Sequence, residues 1–348
     1  MNLQQMITRS RFCLFGLLGL TLISSPVAAQ VFGSGPSDPA LFDMVINSPP
    51  DQSLSGPGFF VGLGGVTTQI NVSNGGSLGE FFFTISDSEL NVSGGSIGDF
   101  SSISGSEINI SGGSVGNSFQ ADNGSQVNIS GGSIGNSFFS AAGSEVNISG
   151  GSIGDLFMAQ DSEINISGGT VGDGFSTDLG VTNISGGTIN GNLSTFGGDL
   201  DISGGTIIGD LFNFNVDTNI SGGTISGDLF VSLSSTVNIS GGTFGGDLFF
   251  LDGGVINLFG FDFAIDGVLL DSLTIGDAFT IDDRDVTITG RFASDGLGFS
   301  FELPPLPFGQ QSTLTVTQVE PVPEPGSLGL LGLGGLVLLG RRRKANAA

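Results

Sequence analysis

The chain has 348 residues, a formal charge of −25, 62 Gly and 30 Phe, and no His, Trp or Tyr. Eight basic residues against 33 acids exclude nucleic acid as a partner, because phosphate binding rests on Lys and Arg. The missing His and Tyr remove common proton carriers, and the acidity reads as solubility, repulsion from anionic surfaces and an affinity for cations.

At the N-terminus, Arg9 and Arg11 precede the apolar run Phe12–Ile23, and Ser24-Ser25-Pro26-Val27-Ala28-Ala29 follows. That order of basic, apolar and small-residue regions predicts a signal peptide over residues 1–29, cut after Ala29. An uncleaved anchor is the other reading. The sole cysteine, Cys13, lies in this segment, so the mature chain has no disulfide and no Cys-based site. Residues 30–70 are rich in Gly, Pro and Ser and read as a leader and N-terminal cap, ending in the strand-like Thr67-Thr68-Gln69-Ile70. Gly62-Leu63-Gly64-Gly65 is not followed by Lys-Ser/Thr, so it is no phosphate loop.

A single phrase then dominates residues 71–260: Asn-Val/Ile-Ser-Gly-Gly-Ser/Thr. It begins at Asn91, Asn109, Asn128, Asn147, Asn165, Asn183, Asp201, Asn219 and Asn238, with a looser copy at Asn71 and a degenerate one at Asn257. The spacings of 18 to 20 residues are those of a solenoid, whose units must stack to bury anything. In the unit at Asn147, Val146 and Ile148 alternate with polar neighbours, the strand signature. Gly150-Gly151 then turns the backbone, and Ile153 is the next apolar residue. Gly154-Asp155 makes a second corner, and Phe157 follows two residues after the acid. The equivalent aromatics are Phe119, Phe138, Phe175, Phe212, Phe230 and Phe249, all expected inside the coil. Gly-Gly pairs, β-branched residues and no 3.6-residue period exclude helices. The expected fold is all-β: a parallel β-solenoid of about eleven coils of 18–19 residues, with strands about 4.8 Å apart.

Residues 261–320 break the repeat. Strands are expected at Phe263–Leu269, Ala278–Ile281, Val286–Phe292, Phe299–Leu303 and Thr313–Val319, with a turn at Ser294-Asp295-Gly296. They read as a small β cap over the last coil. Residues 321–348 hold Pro323-Glu324-Pro325, an apolar stretch over 326–340 and the basic end Arg341-Arg342-Arg343-Lys344. As a helix the apolar stretch would span roughly 22 Å, short of the ~30 Å hydrocarbon core. The basic cluster fits a cytoplasmic stop.

This tail resembles the PEP-CTERM sorting signal of Gram-negative bacteria, on the strength of Pro323, Glu324, Pro325, the apolar segment and Arg341, Arg342 and Arg343. The resemblance implies processing by a membrane exosortase, and a route through an inner-membrane intermediate to the cell surface, outer envelope or extracellular matrix. Proteins with such tails tend to occur in bacteria that secrete exopolysaccharide. A plain C-terminal anchor through 326–340 is the competing reading.

The second corner gives a column: Asp99, Asn117, Asn136, Asp155, Asp173, Asn192, Asp210, Asp228 and Asp247. Stacked carboxylates at Asp155, Asp173, Asp210, Asp228 and Asp247 are weak Ca²⁺ candidates, although Asp and Asn also favour corners for turn chemistry alone. The Asn column lies in Asn-x-Ser sequons, open either to glycosylation or to an amide ladder. The column Thr170, Thr188, Thr206, Thr224 and Thr243 gives one regular hydroxyl row. The Phe column reads as core rather than as a sugar platform. No residue stands out as catalytic and no cofactor is called for. The expected function is that of an exported, non-catalytic surface or matrix protein associated with exopolysaccharide or biofilm. The alternative is a polysaccharide-binding or polysaccharide-degrading β-helix.

Overall fold

The computed structural model describes residues 42–46, 53–54, 59–61, 68–73, 76–85, 88–232, 234–250, 253–282, 285–305 and 312–320. Both the signal-peptide segment with Ala29 and the C-terminal sorting segment lie outside the described residues. Within them the chain is all-β and forms a parallel solenoid, as the repeat requires.

Each coil starts on a strand carrying the Asn, as at Glu145–Ile148, turns through the Gly-Gly pair into a short strand such as Ser152–Ile153, and crosses to a third strand such as Met158–Gln160. The first two lie in a 22-stranded sheet and the third in an 11-stranded one. Stacking is in register: Asn147 sits between Asn128 and Asn165, and Ile153 between Ile134 and Val171. The glycines are dictated by this stacking. Gly151 has φ of 69°, and a Cβ on Gly150 would lie 2.4 Å from the Ser130 carbonyl oxygen of the preceding coil.

Stacking begins before Asn71. Phe42–Ile46 pairs in parallel with Thr68–Val72, placing Val45 opposite Asn71; Ser53–Leu54 pairs with Ser77–Leu78, and Phe59–Val61 with Phe82–Thr84. The segment read from sequence as leader and cap thus supplies a coil that lacks the repeat phrase.

The core is one column of side chains per inward position. Val146, Ile148, Ile153, Phe157 and Ala159 of one coil are all buried, and their counterparts continue these columns along the rod, with Phe244 half-buried in the last repeat. Polar residues enter this core along its length, from Thr84 and Ser140 to Thr195 and Asn213. Thr182 and Thr218 replace Val/Ile, and the buried Asn213 Oδ1 accepts hydrogen bonds from Thr195 Oγ1 at 2.8 Å and Thr218 Oγ1 at 3.1 Å.

At the C-terminal end, Val255–Ile265 continues the Asn-bearing column. The chain turns at Asp266-Gly267, both with positive φ, so the strand expected over Phe263–Leu269 is split into a hairpin with Val268–Leu269. Thr313–Gln318 returns to pair in parallel with Val255–Gly260, with Thr315 opposite Asn257. Val286–Phe292 and Gly298–Leu303 pair antiparallel beside it. The Ser294-Asp295 turn clasps the last Gly-Gly corners: Ser294 Oγ donates to the Ser221 carbonyl and the Gly242 N–H donates to Asp295 Oδ2, each at 2.7 Å.

Candidate functional site

The Asn column is a directional amide ladder. Each Nδ2 donates to the Oδ1 of the preceding coil: Asn91 to Asn71 at 3.1 Å, Asn128 to Asn109 at 2.9 Å, Asn165 to Asn147 at 3.0 Å and Asn257 to Asn238 at 2.9 Å. Two residues earlier several coils carry a carboxylate alongside it, as at Glu89, Glu107, Glu145 and Glu163. Asn147 Nδ2 also donates to Glu145 Oε1 at 2.7 Å, and Asn91 Nδ2 to Glu89 Oε1 at 2.8 Å. The nitrogen that would carry a glycan is therefore already committed to the stack, and attaching a sugar would break these bonds.

The corner column stitches coil to coil through its side chains. Oδ1 of Asp155 accepts from the backbone N–H of Asp173 at 3.0 Å, Asp210 from Asp228 at 2.9 Å, and Asp228 from Asp247 at 2.9 Å. Asp173 Oδ1 accepts from Asn192 N–H at 3.3 Å and Gly174 N–H at 2.8 Å, and Asp247 Oδ1 from Glu302 N–H at 3.3 Å. An acceptor oxygen is all this role needs, which is why Asp and Asn interchange along the column. As Ca²⁺ ligands these five carboxylates fit poorly. One oxygen of each serves the backbone, they lie along a line rather than around a point, and among the described residues no cluster of three or more acids is placed to hold a metal ion.

The Phe column divides in two, and this corrects the sequence reading. Phe119, Phe138, Phe157 and Phe175 are buried and stack at centroid distances of 5.4, 4.7 and 4.7 Å. Phe212, Phe230 and Phe249 are half-buried on the outer face of the 11-stranded sheet, stacked at 4.6 and 4.9 Å. The inward positions there belong to Leu211, Leu229 and Leu248. The cause is a slip of the corner by one residue. Early coils read Ile153-Gly154-Asp155-Leu156-Phe157, with Leu156 at φ of 61°; later ones read Ile207-Ile208-Gly209-Asp210-Leu211-Phe212. The inward residue still falls four positions after Ile, but Gly-Asp arrives one position later, so Leu turns in and Phe turns out. The signal was legible in the extra residue before each later Gly. The outer row does not make a flat sugar platform. Its rings stack near-parallel, with interplanar angles of 9° and 16°, so most faces are covered by the next ring.

The row ends at Phe249, and no ring stacks beyond it among the described residues. Phe249 lines an open cleft of about 370 Å³ between the last coil and the C-terminal strands, with Asp247, Asp285, Val286, Thr287, Glu302, Leu303, Pro304 and Pro305 around it. None of the three carboxylates has a cationic partner among the described residues; the ion pair Arg291–Asp262 lies elsewhere at 3.8 Å, both side chains exposed. Sequence reasoning noticed Asp247 as a corner residue and a weak Ca²⁺ candidate. Asp285 and Glu302 carried no motif, and tertiary folding alone brings them to Phe249.

Two carboxyls move clearly from their ordinary range, neither in this cleft. Burial pushes Asp122 up, against a hydrogen bond from Gln120. The backbone and hydroxyl of Thr274 pull the exposed Asp277 down.

A family model, that of the PEP-CTERM protein-sorting motif, matches residues 321–344. The chain thus joins a β-solenoid ectodomain to a sorting motif that implies bacterial export, processing by an exosortase and sorting to the cell surface. No curated protein and no solved structure matches the chain. Among the described residues no helix is long and apolar enough to cross a membrane.

Proposed function

We propose that the protein is a non-catalytic structural rod of the bacterial surface or extracellular matrix, associated with exopolysaccharide. The observation that carries this reading is the pairing of a C-terminal sorting motif with a solenoid whose outer polar columns are spent on holding coils together. A catalytic site needs polar groups free to act on a substrate, and the Asn and Asp columns are engaged in regular inter-coil bonds. The stitched columns favour a stiff acidic spacer, and the charge of −25 keeps such rods apart in a hydrated matrix.

The test is fractionation with intact-mass measurement. Protein lacking residues before 30 and cut near Pro323-Glu324-Pro325, released from the envelope by polysaccharide-degrading treatment, is the expected result. Full-length tail held in the inner membrane, with no release, would remove the matrix role. Incubation with pectate, alginate and the producing cell's own polysaccharide should yield no new reducing ends or unsaturated sugars.

A further inference from the structure

We infer that two copies of the chain pair face to face and antiparallel through the outer surface of the 11-stranded sheet, the Phe rows of each seated on small residues of the other. This goes beyond the structural-rod reading and does not depend on the polysaccharide. Phe212, Phe230 and Phe249 form one outward row. Phe196 and Phe214 begin a second, stacked at 5.0 Å, and the rows meet where Phe212 and Phe214 lie 6.4 Å apart. These rings make one connected apolar patch, with Phe196 44% exposed, and such a patch on a water-facing sheet marks an interface. The rings cover one another's faces and present a ridge of edges, which packs on a second sheet better than on a sugar.

Three features select a second copy. The first is a step in size. The row of Phe212 continues toward the N-terminus, in register, as Ser194, Ser176 and Met158. Two bulky residues, Phe212 and Phe230, thus adjoin two small ones. A two-fold axis lying in the interface, across the rod between Ser194 and Phe212, sets Phe212 over the partner's Ser194 and Phe230 over the partner's Ser176. Phe249 then meets the partner's Met158, a favourable sulfur–aromatic contact. The second feature is the neighbouring row. The same axis puts Phe196 against the partner's Phe214 and Asp178 against the partner's Ser232, so across these contacts no acid faces an acid. The third is pitch. Rings 4.6 and 4.9 Å apart repeat at strand spacing, which another copy of this sheet matches along its length.

The corner acids, Asp210 and Asp228 among them, run beside these strands and repel across the rim, so salt should strengthen the pair. The contact from Met158 to Phe249 spans six strands, roughly 29 Å of rod. That strip is smaller than the ~800 Å² per partner of a standard interface. The dimer is therefore weak in solution and forms where sorted rods crowd together. Acids on the other columns still keep one pair from the next.

The experiment is sedimentation equilibrium of the full-length protein at concentrations up to about 1 mM. A reversible monomer–dimer equilibrium is expected, tightened when salt rises from about 0.05 to about 0.5 M. Phe212→Ser and Phe230→Ser should each raise its Kd about tenfold. Ser194→Phe should raise it too, because the added ring collides with the partner's Phe212. Phe100→Ser, 51% exposed but outside the paired stretch, should leave it unchanged. Thermal melts confirm that each variant folds. A monomer throughout, or equal weakening by Phe100→Ser, would overturn the pairing. So would tightening by Ser194→Phe, the mark of unspecific apolar adhesion. Association unmoved by every variant would place it in the apolar stretch 326–340 instead. Binding to phosphatidylcholine vesicles through Phe212 and Phe230, with no dimer, would assign the face to a lipid surface. Envelope extraction reads matrix association separately, so the pairing can fail while the broader role stands.

Discussion

Asp201 accepts a hydrogen bond from Asn219 Nδ2 at 2.8 Å but has no amide to offer Asn183, the residue beneath it in register. The amide ladder that runs unbroken from Asn71 to Asn183 therefore stops there and restarts. Replacing Asp201 with Asn supplies the missing donor and removes a charge beside Asp199. The variant should be more stable than the parent by about 0.5–1.5 kcal/mol, the net worth of one hydrogen bond. Urea titration measures it, and an unchanged midpoint would mean the ladder contributes nothing to stability.

The two Phe rows make opposite demands. Phe157→Ala opens a cavity among stacked rings and should cost about 3–5 kcal/mol. Phe230→Ala, on the outer face, should cost roughly 1 kcal/mol through lost ring stacking. Equal losses in the two variants would show that the corner slip does not turn Phe outward.

At the corner column the acceptor oxygen matters and the charge does not. Asp228→Asn should leave stability nearly unchanged, whereas Asp228→Ala strips the acceptor from the Asp247 N–H and should cost about 1 kcal/mol. Chelator should move the thermal midpoint of the parent by only a few degrees. Unfolding on chelation would instead make Asp155, Asp173, Asp210, Asp228 and Asp247 a metal ladder.

Asp122 should give the rod a pH dependence of definite sign. Burial raises its folded-state pKa, so the unfolded chain releases this proton at lower pH than the folded one. Stability then falls as pH rises from the ordinary carboxylate range through the raised folded value, and the penalty is fully present above it. Asp122→Asn should be more stable than the parent at neutral pH, with the difference vanishing in acid. A gain that persists in acid would place the effect elsewhere.

The repeat phrase, read alone, determines the solenoid, the coil length, the inward Val/Ile columns and the stacked Asn and Asp columns. It can do so because a period of 18 to 20 residues forces equivalent positions to stack. The tail, a linear motif, is likewise legible without a fold. Three things depend on the tertiary structure. Phe212, Phe230 and Phe249 lie outside because a one-residue shift of the corner inverts a period-two strand; the extra residue before each later Gly marks the shift, but the fold decides which side chain turns out. The coil carried by Phe42–Ile46, Ser53–Leu54 and Phe59–Val61 lacks the phrase, and only the pairing of these strands with Thr68–Val72, Ser77–Leu78 and Phe82–Thr84 shows it to be a coil. The cleft joins Asp247 to Glu302 across 55 residues of chain, a distance no local pattern encodes, and it exists because the returning C-terminal strands must close the open end of the last coil.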